Sequence, residues 1–211
     1  MTTPILSRRR ALWRGELARP SQVPPEKYDV WTLWADRGWG KSRAALEEIL
    51  RLGETTTTYS PMGPRPGRIG VFTQGRDQED LIMQMLRQII EGDFSVSGCG
   101  RRMSVQLQSG VQLYFWRYGN IEAAQSLTLD HFLLEDIEKA TFEQREEIYR
   151  LYHQAARWHH DARLIQTCYV MPNTPPGRVA GNRRHLTVGP DAVENDTLTP
   201  GQLESIREAT R

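Results

Sequence analysis

Residues 35–42 read Ala35-Asp36-Arg37-Gly38-Trp39-Gly40-Lys41-Ser42. The spacing fits G-x-x-x-x-G-K-[ST] at every constrained position except the first, where alanine replaces glycine. This pattern limits the fold because it works only between a buried strand and the start of a helix. Both flanks are present: residues 30–34 form an apolar run, and within residues 41–52 Ala44, Ala45, Leu46, Ile49 and Leu50 recur at helical spacing. Gly53 is read as the stop of that helix. Gly38 and Gly40 allow main-chain amides to turn inward, and the helix start adds free amides and the positive end of its dipole. The amides of Gly38, Trp39 and Gly40 are therefore expected to cradle a phosphate chain. Lys41 would reach the β and γ phosphates, and Ser42 would offer its hydroxyl to Mg²⁺, so ATP and Mg²⁺ are the implied ligands. Ala35 is expected to fit the tight turn only with some backbone strain.

The remainder of the chain alternates strand and helix signals. A strand is expected over residues 69–73. A helix follows over 77–91, with Leu81, Ile82, Met85, Leu86, Ile89 and Ile90 on one face. Val105, Leu107, Val111, Leu113 and Phe115 alternate with polar residues around Ser109-Gly110, the pattern of a hairpin. Residues 132–134 read as a buried strand. Thr141 and Gln144 make a capping box opening a helix to about Trp158, and residues 164–170 read as another strand. Residues 53–67, rich in Thr and Pro, read as loop, and Thr199-Pro200 opens a last helix. This order implies an α/β fold with a mainly parallel sheet, helices on both faces and one hairpin.

Residues 1–29 stand apart as a basic segment (Arg8, Arg9, Arg10, Arg14, Arg19) with Leu12, Trp13 and Leu17 as its apolar residues, followed by a connector at Pro20, Pro24 and Pro25. The P-loop domain is then expected over residues 30–211. A net charge of only +1 does not advertise nucleic-acid binding. Two cysteines cannot make a disulfide framework, and no apolar stretch reaches the length of a membrane span or a signal core, which suggests a reducing, cytosolic setting without a membrane partner.

Hydrolysis needs more than a phosphate grip. His131-Phe132-Leu133-Leu134-Glu135-Asp136 is an apolar strand ending in two acids. At the carboxyl end of a strand one carboxylate is expected to face Mg²⁺ and its neighbour the γ phosphate. His153, His159, His160 and Asp161 offer metal-ligand chemistry, but their place at the end of a polar helix fits a solvated turn better. Trp31 and Trp34 read as core, whereas Trp39 is the tryptophan that is a candidate for a ligand or partner contact. Arg101, Arg102, Arg117, Arg183 and Arg184 are candidates for DNA-phosphate contacts or for an arginine finger on a neighbour's nucleotide, most of them reading as surface charge.

Residues 31–44, Trp31-Thr32-Leu33-Trp34 through Lys41-Ser42-Arg43-Ala44, resemble the W-x-x-W-x-x-x-R-G-x-G-K-[ST]-R-x opening of the ATPase domain of tailed-phage large terminases. The hairpin at residues 109–115, the acidic segment at 130–140, Thr174-Pro175-Pro176-Gly177 and residues 186–198 are similar to later segments of that family, so the likeness spans residues 28–211. Only the P-loop portion is specific by itself.

The resemblance implies an ASCE/RecA-like P-loop NTPase fold and an Mg-dependent ATPase that drives double-stranded viral DNA into a capsid. It further implies portal protein and a small terminase subunit as partners, and a homo-oligomeric ring when docked on the procapsid portal in the host cytoplasm. Arg37 would stabilise charge at the γ phosphate. Glu135 falls at the metal-side position, Asp136 at that of the water-orienting acid, and Thr174 in the segment coupling hydrolysis to movement. The Glu135-Asp136 order is the reverse of the family's, which predicts slow or partner-dependent turnover, since a displacement of about 1 Å costs orders of magnitude in rate. The family's nuclease domain is not expected within these residues. Alternatives are a helicase-like or other P-loop ATPase acting on nucleic acid, and a nucleotide-binding relative with weak or lost hydrolysis.

Overall fold

The computed structural model describes residues 13–19, 22–24, 28–35, 38–60, 63–90, 93–98, 103–159, 161–168 and 185–188. Arg37, Thr174, Arg101, Arg102, Arg183, Arg184, His160 and the helix expected from residue 199 lie outside them. Strand β1 (Val30–Trp34) leads to helix α1 (Lys41–Thr55), then β2 (Thr57–Ser60), β3 (Gly63–Pro66), β4 (Arg68–Thr73) and α2 (Arg76–Ile89). β5 (Phe94–Ser97), β6 (Met103–Leu107) and β7 (Gln112–Arg117) follow, with a 3₁₀ segment at Tyr118–Ser126. The described chain continues with β8 (His131–Leu134), α3 (Phe142–Trp158), β9 (Arg163–Cys168) and β10 (His185–Val188).

Eight strands form one sheet in the order β10-β1-β9-β8-β4-β7-β6-β5. Every pair from β10 to β7 is parallel; β7, β6 and β5 are antiparallel. Parallel strands covered on both faces must be apolar on both, which is why His131-Phe132-Leu133-Leu134 shows no alternation yet is buried throughout. Pairing aligns Val71 with Leu133, Leu133 with Ile165, and Ile165 with Trp31, and this row packs under α1 and α2. Phe72, Phe132, Leu134 and Leu164 fill the other face, against Ile148, Leu151 and Tyr152 of α3. Each such side chain taken from water contributes roughly 1.5–3 kcal/mol before entropy is charged against it.

The expected hairpin is present as β6–β7, and the capping box is formed, with Gln144 N–H donating to Thr141 Oγ1 at 3.3 Å and Thr141 N–H to Gln144 Oε1 at 2.9 Å. Three readings need correction. Gly53 does not stop α1. The helix runs on to Thr55, and the glycine answers to packing instead of termination: a Cβ there would stand 2.8 Å from Val111 Cγ1 and 2.9 Å from Ile69 Cδ1.

Residues 53–67 are not loop, since beyond α1 they hold the β2–β3 hairpin. Asp130, fully buried, anchors that hairpin by accepting from Thr58 Oγ1 (2.8 Å), Arg65 Nη1 (2.7 Å) and the Arg68 amide (2.7 Å). Leu81 is half exposed and Met83 takes its place on the buried face of α2. Strand β5 lies where the sequence carried no strand reading.

Candidate active site

β1 and β8 end at the same edge of the sheet with β9 between them. α1 starts at Lys41 beyond the end of β1, and Glu135 and Asp136 leave β8, so parallel pairing alone brings Lys41 and Ser42 beside Glu135 and Asp136. Gly38 (φ 81°) and Gly40 (φ 91°) take the left-handed conformation, which a side chain disfavours. Ala35 does not, and among the described residues only Asp136 is a non-glycine with positive φ. The strain expected at Ala35 is therefore not there. Trp39 is also corrected: its indole is 3% exposed within the core under α1, because the two flanking glycines turn the loop and drive residue 39 inward. Its side chain is thus withdrawn from ligands and partners, and only its backbone remains on the loop.

The described part of the N-terminal segment rests on this loop. Gln22 Nε2 donates to the Trp39 carbonyl at 2.8 Å, and Gln22 Oε1 accepts from the Arg19 amide at 3.1 Å. Trp13 packs against the core, with the Arg43 guanidinium 5.3 Å from its ring centre.

Lys41 is buried and donates to the Ala35 carbonyl at 2.5 Å. Burial lowers its pKa, against the opposing charges of Asp136 and Glu135. Ser42 donates its hydroxyl to Glu135 Oε1. Glu135 is buried, and burial followed by the neighbouring Asp136 pushes its carboxyl up to about 7, while the Ser42 and Thr167 hydroxyls and Lys41 pull it down. Its Oε2 is buried with no hydrogen-bond partner among the described residues. A hydroxyl and a carboxylate with an unsatisfied buried oxygen make an all-oxygen donor set, which fits Mg²⁺.

Asp136 adopts φ 51°, ψ 59°. Its amide donates to Thr167 Oγ1 at 2.9 Å, and its Oδ2 accepts from Gln78 Nε2 at 2.6 Å. The Gln78 amide is itself oriented, its Oε1 accepting from the Gln74 N–H at 2.6 Å. Tyr118 Oη donates to the Glu135 carbonyl at 2.7 Å. Gln78, Thr167 and Tyr118 had no signal in the sequence, since none belongs to a local pattern with the acids. Arg117, at the end of β7, is half exposed and pairs with Glu79 at 3.0 Å. His159 stands at the end of α3 between exposed Trp158 and Asp161, is itself part-buried and lies 3.5 Å from Asp130, and no cluster of His, Cys, Asp or Glu suited to a metal occurs among the described residues.

A P-loop strand and an acid-bearing strand separated by one further parallel strand, with β1–loop–α1 beneath, define a P-loop NTPase fold. No protein-family model matches the chain, and no curated protein does. Among solved structures it is similar to the large terminase of a thermophilic bacteriophage, with TM-score 0.60 at 11% identity over 97% of this chain and 49% of that one. The same terminase in complex with ADP gives 0.58 at 12% identity, covering 97% and 49%. The ATPase domain of the Thermus phage P74-26 large terminase gives 0.54 at 12% identity, covering 92% and 93%. The chain therefore has the fold of the ATPase domain of phage large terminases. It spans about half the length of the first of these terminases and nearly all of the P74-26 domain.

Proposed function

We propose that this chain hydrolyses ATP to move double-stranded DNA into a viral capsid, as the motor domain of a large terminase. The observation that carries the reading is the meeting of Ser42 with Glu135 beside Lys41 at the carboxyl edge of the sheet. In this reading the amides of Gly38, Trp39 and Gly40 cradle the phosphates, and Lys41 exchanges the Ala35 carbonyl for the β and γ oxygens. Ser42 and Glu135 would hold Mg²⁺, which would supply neutralisation of the phosphate charge that develops during hydrolysis. Asp136 orients the attacking water and accepts its proton as the water oxygen bonds the γ phosphorus and the bond to the β–γ bridging oxygen breaks, which leaves phosphate and ADP. Arg37 stabilises the same charge, and Thr174 lies in the segment that transmits the change to DNA. Portal protein and a small terminase subunit are the proposed partners, with a ring docked on the procapsid portal in the host cytoplasm as the working assembly.

The test is phosphate release from Mg-ATP at high protein concentration, with and without double-stranded DNA, in wild type and Lys41→Ala. Turnover stimulated by duplex DNA without strand separation, and abolished by Lys41→Ala, is the expected result. Strand separation would instead indicate a helicase. ATP binding without phosphate release would mean a nucleotide-binding relative, a reading favoured by one observation: Asp136, shorter than the family's glutamate, is bonded to Gln78.

A further inference from the structure

The two acids sit on a turn that the backbone does not favour. A non-glycine residue in the left-handed region persists only where its surroundings over-determine it. Here the turn is pinned at three backbone points by three different elements. Glu135 N–H donates to the Phe72 carbonyl at the end of β4 (2.9 Å). Asp136 N–H donates to Thr167 Oγ1 at the end of β9 (2.9 Å). The carbonyl of Glu135, which belongs to the very peptide that sets φ of Asp136, accepts from Tyr118 Oη (2.7 Å).

The geometry assigns Tyr118 as a positioning residue: its hydroxyl holds the Glu135–Asp136 peptide in the orientation that aims Asp136, and so sets turnover without touching ATP. The assignment rests on the ATPase reading above. The phenol is buried, and it opens the 3₁₀ segment directly after β7, so it cannot drift from the carbonyl it holds. Its chain neighbour Arg117 is tied to Glu79 of α2 at 3.0 and 3.1 Å, bracing this end of β7 against the helix that also carries Gln78. Of the three pins, the Phe72 carbonyl is main chain. The Thr167 hydroxyl also lowers the pKa of the Glu135 carboxyl, so its removal would change the metal-side acid as well. Tyr118 is thus the pin whose loss isolates peptide orientation, and a reorientation that shifts a carboxylate by about 1 Å is enough to slow chemistry by orders of magnitude.

The experiment compares wild type, Tyr118→Phe and Tyr152→Phe in steady-state turnover, Mg-ATP affinity and thermal unfolding. Tyr152 is the control: it is equally buried and donates to a main-chain carbonyl, that of Asp29 at 3.2 Å, remote from the acids. Tyr118→Phe is expected to lower kcat about tenfold or more while Mg-ATP affinity stays within about twofold, and Tyr152→Phe to leave both unchanged. Replacing Tyr118 by 4-aminophenylalanine, which returns a donor to the same position, is expected to recover turnover and covers the case in which the phenylalanine variant folds poorly. Wild-type kcat in Tyr118→Phe, an equal loss in Tyr152→Phe, or no recovery with the restored donor would overturn the assignment. Absence of turnover in wild type itself would instead overturn the ATPase reading, and the assignment with it.

Discussion

The Ser42 hydroxyl donates to the Glu135 carboxylate, joining the first turn of α1 to the end of β8 across 93 positions of sequence. A hydrogen bond to a charged group contributes about 1.5–3 kcal/mol. Ser42→Ala removes both that bond and one oxygen of the set proposed for Mg²⁺. The kcat/KM for Mg-ATP is expected to fall on the order of 10- to 100-fold, read in a phosphate-release assay across a range of Mg²⁺ concentrations.

Asp136 holds a conformation that Asp and Asn tolerate better than most residues. Asp136→Asn should therefore leave folding and Mg-ATP binding intact while hydrolysis drops by about 10²- to 10⁴-fold, the range for a lost general base. Asp136→Glu keeps the charge but should cost about 1 kcal/mol of stability in denaturant unfolding, because the longer side chain lacks the local hydrogen bonding that eases φ 51°. Equal stability of wild type and Asp136→Glu would argue that the turn is unstrained.

The elevated Glu135 carboxyl makes a pH prediction with a definite sign. Its pKa rises from 4.5 to about 7 on folding, so the native state binds the proton more tightly than the unfolded chain. That contribution is fully present below the unfolded value and is lost as pH rises through the folded one, amounting to about 3 kcal/mol at most. Without nucleotide or Mg²⁺, wild type should lose stability relative to Glu135→Gln between about pH 4.5 and 8. Denaturant unfolding of both proteins at three pH values in that window measures it, and a pH-independent difference would refute the account.

Gly53 sits inside α1, where alanine is intrinsically better by about 1 kcal/mol. Crowding wins here: the added methyl would meet Val111 and Ile69 below 3.0 Å, and overpacking of this kind costs about 1–3 kcal/mol. Gly53→Ala should lower the unfolding midpoint despite its better helix propensity, and Val111→Ala should partly relieve it.

Local chemistry in the sequence determined the parts of this protein that depend on neighbours in the chain. The strand–loop–helix around residues 30–52, the Thr141–Gln144 cap and the all-apolar strand before Glu135 follow from spacing, because hydrogen-bond periodicity and capping act over three or four residues. What depends on strand order was decided only in three dimensions. Placing β9 between β1 and β8 brings Ser42 to Glu135 and Thr167 to Asp136, and the first turn of α2 brings Gln78 to Asp136. Gly53 reads as a helix stop until Val111 and Ile69 pack on it, and Trp39 reads as a ligand contact until the loop turns it into the core. Such contacts join residues tens of positions apart. No local spacing encodes them, since they arise from the burial of two sheet faces that many separate segments share.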